Sequence, residues 1–243
     1  MWRPMRIALG LLTRIPVGHG VSDADTVELG RSVLFYPLVG VVIGLALAGV
    51  AWSMPARLDT GLQAALLLSV WVGLTGGMHL EGLADTADGW IGGMGNPSRA
   101  LAILKDPHCG PFGVMALLLL LLLKWNGLRV VLESADWGVL LVAPLLGRAG
   151  IVVLFMTLPY ARPGGMGEEA ARAVPRSGGW SVCLVSIVSA VLLGCGWMVV
   201  GGWVVVLWRL RASWLDRFGG TTGDTAGAAC ELLETVVLTA WLL

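Results

Sequence analysis

The stretch HLEGLADTADGW, residues 79–90, decides how the rest of this sequence is interpreted. If it forms a helix with 3.6 residues per turn, the carboxylates of Glu81, Asp85 and Asp88 share one face within about 60° of arc. Three negative charges on one face repel each other unless a cation lies between them. Because only 13% of the residues are charged, the spacing favours a divalent-metal site over a face that is simply solvated.

The composition indicates a membrane protein. Of the 243 residues, 56% are hydrophobic, and several apolar runs are long enough to cross a bilayer. Basic and acidic residues number 16 each, so the net charge provides no attraction to nucleic acid. The four cysteines show no metal-binding spacing and are interpreted as packing residues. The sequence therefore predicts a single all-α integral-membrane domain over residues 1–243.

The apolar runs predict a polytopic bundle of about seven transmembrane helices. An amphipathic N-terminal segment, residues 1–32, is expected to lie at the membrane surface. The predicted spans are 33–54, 62–80, 112–132, 138–158, two short helices within 181–208, and 225–243. One tilted span over 181–208 is the alternative, but two helices place all arginine-rich loops in the cytoplasm, as the positive-inside rule favours. Gly40 and Gly44 have the spacing that lets a neighbouring helix approach closely, and glycines that are merely tolerated in a lipid-facing helix are the alternative.

Polar and basic residues near the acidic stretch are candidates for phosphate binding. Residues 78–111 are predicted to be a site loop, in which a glycine-rich run at 92–95 precedes Lys105. Backbone N–H groups of such a run can cradle phosphate, although the P-loop pattern is absent and an ordinary flexible loop fits as well. Lys124 is expected to snorkel to the interface or to point at an anionic ligand. Arg148, near the middle of its span, favours a buried salt bridge or a phosphate contact over lipid exposure.

A second site loop is predicted over residues 209–225, where GGTTGDTAGAACE at 219–231 begins the last helix. Asp224 lies where that helix starts, so it is expected to be either the N-cap or a metal ligand. Helix N-termini also attract phosphate, and this entry could hold one end of a substrate. Glu231 shares the helical face of Asp224, and the sequence leaves open whether it joins the site.

Several segments together resemble the cobalamin synthase family, the adenosylcobinamide-GDP ribazoletransferases. They are LTRIPV at 12–17, FYPLVG at 35–40, HLEGLADTADGWIGG at 79–93, Lys105-Asp106 before GPFGV at 110–114, Lys124-Trp125, and GGTTGDTAGA at 219–228. The resemblance covers essentially the whole chain. Glu81 is a departure, since Asp is expected there in the family pattern, but the longer carboxylate can still bind a metal.

The resemblance implies a membrane transferase that joins adenosylcobinamide-GDP to α-ribazole, or to its 5′-phosphate, with release of GMP. This is the nucleotide-loop assembly step of cobalamin biosynthesis, and Mg²⁺ is the implied cofactor. Displacement at a diphosphate requires charge neutralisation more than covalent chemistry, and Mg²⁺ prefers oxygen ligands. The predicted metal ligands are Glu81, Asp85, Asp88 and Asp224. Asp85 or His79 is predicted to accept the proton of the nucleophile, and an ordinary interfacial histidine is the alternative for His79. The residues predicted to contact substrate are Lys105, Asp106, Arg148, Lys124 and Arg14.

Two other classes of membrane protein also carry acidic residues in their helices. A prenyltransferase or CDP-alcohol phosphotransferase would also use acid-rich helices with Mg²⁺, but the motifs of those enzymes are absent. A cation-binding transporter is expected to contain internal repeats, and the two halves of this chain show no similarity. The active site is predicted to face the cytoplasm from the inner membrane, and a homo-oligomer is left open.

Overall fold

In a computed structural model, which describes residues 2–17, 24–165 and 167–241, the chain is all-α as predicted. The described residues form helices and no β-strand, with one isolated bridge between Tyr160 and Thr221. The α-helices are α1 (Trp2–Leu12), α2 (Thr26–Ser32), α3 (Tyr36–Ser53), α4 (Thr60–Thr75), α5 (Met78–Gly92), α6 (Pro97–Ile103), α7 (Pro111–Ser134), α8 (Gly138–Thr157), α9 (Glu168–Arg172), α10 (Arg176–Leu192), α11 (Trp197–Phe218) and α12 (Gly223–Ala240). A short 3-10 helix, Val33–Phe35, joins α2 to α3.

Helix α8 is the centre of the bundle. It is apolar on all sides and almost every residue from Val139 to Met156 is buried, which is the pattern of a helix surrounded by protein. Helices α3, α10 and α12 pack against it. The contact with α3 is very close, because a Cβ at Gly40 would lie 2.3 Å from the Pro144 carbonyl oxygen and one at Gly44 would lie 2.6 Å from that of Leu140. The predicted close approach at Gly40 and Gly44 is confirmed.

Four helical stretches among the described residues are long and apolar enough to cross a membrane. They are Thr26–Ser53, Pro111–Ser134, Gly138–Thr157 and Trp197–Phe218, and the bent pair α4 and α5 would make a fifth. The count is below the predicted seven for two reasons. Helix α10 is apolar but only 17 residues long, and α12 carries three carboxylates. The chain breaks between α10 and α11, as the prediction of two helices over 181–208 requires.

The two predicted site loops are largely helical. Residues 78–111 contain α5 and α6, so extended loop structure is confined to short connections on either side of α6. The arginines at 209, 211 and 217 lie within α11 rather than in a loop, and only residues 219–222 separate α11 from α12. Four residues of α1 are buried at positions i, i+3, i+4 and i+8, which share one face of a helix: Pro4, Ile7, Ala8 and Leu12.

Candidate active site

A sharp corner between α4 and α5 places α5, the helix that carries the acidic residues, across the end of the bundle. Gly76 and Gly77 have φ values of 68° and 71°, a left-handed conformation that glycine adopts without a Cβ clash. Helices α4 and α5 consequently meet at 89°, and α4 ends at Thr75 instead of continuing to residue 80 as predicted. The Arg14 side chain covers this corner, because its Nε lies 2.1 Å from where a Cβ on Gly76 would be.

Helix α5 then crosses the N-terminal ends of α7 and α12, and it is not one of the four stretches that are long and apolar enough to cross a membrane by themselves. A Cβ at Gly82 would lie 2.6 Å from the Asp224 carbonyl oxygen, and a Cβ at Gly227 would lie 3.1 Å from the His79 Cα. Glycine at both crossing points therefore lets the two backbones touch. This contact brings the acidic face of α5 to the start of α12, although the two helices are far apart in the sequence.

The carboxylates at this crossing repel one another. Burial is the main cause that raises the pKa of Asp85 to about 6, the charges of Asp224, Glu81 and Asp88 contribute to the rise, and Arg162 opposes it. Burial also raises the pKa of Asp224, and Arg162 lowers it. The Arg162 guanidinium lies 3.1 Å from the Asp224 carboxylate. The structure thus brings the predicted acids of α5 and α12 into one electrostatic cluster.

Asp88 has a structural task within this cluster. Its two carboxylate oxygens accept hydrogen bonds from the backbone N–H groups of Gly110 at 2.7 Å and Gly113 at 2.9 Å. The N-cap residue of α7 is Gly110 itself, which has no side chain to cap the helix, so Asp88 caps α7 from a neighbouring helix. A Cβ at Gly110 or Gly113 would lie 2.5 Å from an Asp88 oxygen.

Asp224 is not the N-cap of α12. Thr222 caps the helix, accepting a hydrogen bond from the Thr225 N–H while the Thr225 hydroxyl accepts one from the Thr222 N–H. The alternative that Asp224 is the N-cap is therefore wrong, because the N-cap residue, Thr222, lies two positions earlier. The Asp224 carboxylate is instead available to Arg162 and to the space beside the helix end.

Two cavities lie on either side of Asp224. One, of about 360 Å³, is lined by basic and glycine residues of three segments: Lys105, Arg162, Gly164, Gly165, Gly167 and Gly223, together with Tyr160. The other, of about 270 Å³, is mostly apolar but includes His79 and Glu81. Asp224, Gly223 and Gly167 line both cavities. An anionic group in the first cavity and a less polar group in the second would therefore meet at Asp224.

Of the predicted substrate contacts, Lys105 lines the basic cavity. Asp106 is exposed and accepts hydrogen bonds from the His108 backbone at 3.0 Å and pairs with its ring at 2.6 Å, which lowers the pKa of its carboxyl. Arg162 and Tyr160 were missed by the sequence analysis, although the loop that contains them is rich in glycine and arginine. No spacing pattern links that loop to α5 or α12.

Lys124 and Arg148 lie beneath the site in a buried ionic network. Lys124 is 2% exposed, so it does not snorkel to the interface. Its Nζ lies 2.5 Å from a carboxylate oxygen of both Glu231 and Glu234, and 4.4 Å from the Trp71 ring centre. Arg148 is fully buried and pairs with Glu234, as the buried-salt-bridge interpretation requires. Glu231 therefore belongs to this network in the structure.

The carboxylates of this cluster are oxygen donors of the kind that Mg²⁺ prefers. Within the described ranges, no group of three or more His, Cys, Asp or Glu side chains is gathered closely enough to hold a metal alone. Mg²⁺ usually keeps several waters and binds one or two carboxylates together with substrate phosphates, so a preformed cage is not required. After burial, the negative charges of Asp224, Glu81 and Asp88 are the causes that raise the pKa of Asp85, and a divalent cation would relieve this repulsion.

Fold and site together define a polytopic α-helical membrane protein with clustered carboxylates beside a basic cavity at one end of its bundle. The family profile of cobalamin-5-phosphate synthase matches residues 4–242. A protein named adenosylcobinamide-GDP ribazoletransferase from Pseudomonas paraeruginosa strain PA7 is 50% identical over 239 residues, covering 98% of this chain and 96% of that relative. A protein with the same name from Pseudomonas fluorescens strain Pf-5 is 47% identical, and the match covers 97% of this chain and 97% of that relative. Another, from Pseudomonas aeruginosa strain PAO1, is 48% identical over 99% of this chain and 98% of that relative. No solved structure matches. This chain belongs to the cobalamin-5-phosphate synthase family and is a transferase enzyme of cobalamin biosynthesis.

Proposed function

We propose that this enzyme joins adenosylcobinamide-GDP to α-ribazole, or to its 5′-phosphate, and releases GMP. The observation that carries the proposal is the meeting of Asp85 and Glu81 with Asp224 at a crossing flanked by a basic cavity. A diphosphate needs positive charge on its oxygens and a base near the attacking hydroxyl. The site offers both within one cluster.

In this proposal each cavity residue has a distinct task. Lys105 and Arg162 neutralise the phosphate oxygens, assisted by backbone N–H groups at the α12 N-terminus. Glu81 and Asp224, with Asp85 beside them, would hold Mg²⁺, which when bound would stabilise the negative charge that develops on the transferred phosphate and on GMP. Asp88 contributes its charge while it caps α7.

The reaction is a substitution at phosphorus. A ribose hydroxyl of the acceptor forms a bond to the phosphorus attached to cobinamide, the bond from that phosphorus to the bridging oxygen breaks, and GMP leaves with the electron pair. The hydroxyl proton passes to Asp85, which is half-buried and central in the cluster. His79 is the weaker base, because burial and the nearby Arg148 charge lower its pKa to about 3.

The active site is proposed to face the cytoplasm at the inner membrane, since nucleotide substrates are present there and the basic loops predict that orientation. The carboxylate cluster also supports a diphosphate-acting transferase of another class, but no observation favours a different substrate.

The test is GMP release by the purified protein from adenosylcobinamide-GDP, α-ribazole and Mg²⁺. We expect activity in the wild type and a loss of about 100-fold or more in Asp85→Asn, because that change removes the proton acceptor and one negative charge beside the metal. Asp216→Asn is the matched control, since this α11 carboxylate is 81% exposed and should leave turnover unchanged. A wild type that turns over prenyl diphosphates or CDP-alcohols instead would overturn the proposal.

A further inference from the structure

The hydroxyl of Tyr160 lies in the wall of the basic cavity beside Asp224. Its oxygen accepts hydrogen bonds from the backbone N–H groups of Gly223, at 3.2 Å, and of Gly167. An ideal Cβ on Gly165 would lie 2.9 Å from the same oxygen. All three glycines line the basic cavity, whereas the neighbouring cavity of about 370 Å³, which Tyr160 also lines, has none of them among its described lining residues. The hydroxyl end of this side chain therefore belongs to the basic cavity.

The hydrogen bonds of this oxygen leave its proton unused. A phenol donates one hydrogen bond in addition to those it accepts, and both amides approach it as donors, so the O–H bond of Tyr160 points away from them. In the part of the chain that the structure describes, no carbonyl or side chain accepts this proton. Lys105 and Arg162 in the same wall are donors only. The Asp224 carboxylate, which could accept, is hydrogen-bonded by Arg162 and not by Tyr160. A ligand in the cavity would therefore complete the bonding of the hydroxyl.

The backbone holds this hydroxyl in place. Tyr160 and Thr221 form an isolated bridge, in which the Ala161 N–H donates to the Thr221 carbonyl at 2.8 Å and the Thr221 N–H donates to the Pro159 carbonyl at 2.9 Å. The Phe155 ring packs edge-on against the Tyr160 ring, with 6.3 Å between the ring centres. The hydroxyl is thus fixed beside the start of α12 before any ligand binds, and a preorganised donor stabilises developing charge without the cost of reorganisation.

The two accepted hydrogen bonds make the hydroxyl a stronger donor, because hydrogen bonds in a chain polarise one another. Gly223 is the first residue of α12, so its N–H carries part of the positive charge of the helix N-terminus. The phenol oxygen of Tyr160 uses that N–H, and the effect of its charge reaches the cavity through the O–H. A negatively charged oxygen is the acceptor that binds such a donor most strongly.

We propose that Tyr160 donates its O–H to a phosphate oxygen of the diphosphate substrate, and so relays the N-terminal amide of α12 to the group that reacts. This inference rests on the proposed function, because that function brings the diphosphate into the basic cavity. The proton stays on the phenol oxygen, and the hydrogen bond strengthens as negative charge develops in the transition state. Lys105 and Arg162 supply positive charge, and Tyr160 adds a neutral donor of fixed direction.

The test compares Tyr160→Phe with Tyr160→4-aminophenylalanine in GMP release. Phenylalanine removes the donor and the acceptor together, whereas the amino group donates hydrogen bonds and accepts them poorly. We expect Tyr160→Phe to lower kcat/KM for adenosylcobinamide-GDP by about 10- to 100-fold, as for a lost hydrogen bond to a charged group, and to change the KM for α-ribazole by less than about twofold. The amino variant should recover most of the loss. Trp180→Phe, at an exposed aromatic residue of α10, is the control and should change neither constant.

Calorimetric binding of GDP in the presence of Mg²⁺ gives a second measurement that does not need turnover. Tyr160→Phe should weaken GDP binding by about 3- to 10-fold, less than the loss in kcat/KM because the charge on GDP is that of a ground state, and the amino variant should bind GDP almost as the wild type does. If Tyr160→Phe does not fold, the amino variant decides: near-normal binding and turnover support the donated hydrogen bond, and their loss overturns it.

The two proposals fail in different ways. A wild type that binds GDP with these differences among the variants but releases no GMP would overturn the proposed function and leave Tyr160 as a phosphate contact. A wild type that releases GMP, with Tyr160→Phe unimpaired or with the amino variant as impaired as Tyr160→Phe, would show that the hydroxyl only accepts the two backbone hydrogen bonds. In that case the inference is wrong while the proposed function stands.

Discussion

Replacing Asp85 with Asn should make the metal-free protein more stable at neutral pH while it abolishes turnover. The pKa of Asp85 is raised from 3.8 to about 6 in the folded state, so the folded protein binds this proton more tightly than the unfolded chain does. Stability therefore falls as pH rises through that window. Because Asp85 is only half-buried, we expect a gain of about 1 kcal/mol, well below the value for a fully buried group.

Thermal unfolding in detergent with a chelator, at pH 4 and at pH 7.5, measures this effect. The variant should unfold at a higher temperature than the wild type at pH 7.5 and at nearly the same temperature at pH 4. Equal unfolding temperatures at both pH values would show that Asp85 is not repelled by its neighbours. Added Mg²⁺ should stabilise the wild type more than the variant.

The sequence was sufficient to find the acids of the site but not their individual tasks. Helical periodicity placed Glu81, Asp85 and Asp88 on one face of α5, and the structure forms that helix. That Asp88 caps α7 depends on a contact between helices, which no local pattern reveals. Arg162 was missed for the same reason, because it reaches Asp224 from a loop 62 residues earlier in the chain.

At the scale of helices, the contact between α3 and α8 should be sensitive to a single methyl group. Gly40→Ala would place a Cβ 2.3 Å from the Pro144 carbonyl oxygen, so the two helices must separate, and we expect an unfolding temperature several degrees lower in detergent. Gly49→Ala in the same helix is the matched control, since a Cβ there has no neighbour within 4 Å. That variant should be as stable as the wild type. A Gly40→Ala variant as stable as Gly49→Ala would contradict the close contact, because alanine by itself favours the helix over glycine.

The ionic network that joins α7, α8 and α12 depends unequally on its two glutamates. Glu234 pairs with both Lys124 and Arg148, whereas Glu231 pairs with Lys124 alone. Glu234→Gln would leave Arg148 buried without a counter-charge, which typically costs about 3–5 kcal/mol. Glu231→Gln should cost clearly less, because Lys124 keeps Glu234. Unfolding of both variants in detergent gives the comparison, and similar losses would contradict the bridging role of Glu234.

Helix boundaries were predicted less well where glycines redirect the chain. The apolar pattern alone favoured one span over 62–80, but consecutive left-handed residues at Gly76 and Gly77 end α4 and turn α5 across the bundle. Hydropathy does not record backbone conformation, so this corner was not predictable from it. By contrast, the Gly40 and Gly44 spacing did predict a real contact, because it encodes the face on which two backbones meet.

For the whole molecule, a natural cysteine can test the proposed orientation. Cys109 is exposed beside the N-terminus of α7, and the other three cysteines are buried. If the site faces the cytoplasm, a membrane-impermeant maleimide should label Cys109 only after spheroplasts are permeabilised. As the control, Arg57→Cys in a Cys109→Ser background places a thiol in the connection between α3 and α4, and it should be labelled in intact spheroplasts. The reverse pattern would place the site on the outer side.

The crossing of α5 and α12 has a consequence for how the enzyme comes into being. Glu81 and Asp85 leave the ribosome well before Asp224 and the helix that carries it, which follow much later in the sequence. Until α12 inserts, the acids of α5 have no opposing wall and the two cavities do not exist. Catalytic competence should therefore arise in a single late step of biogenesis, and a nascent chain arrested before residue 223 should possess every element of the first half and no activity.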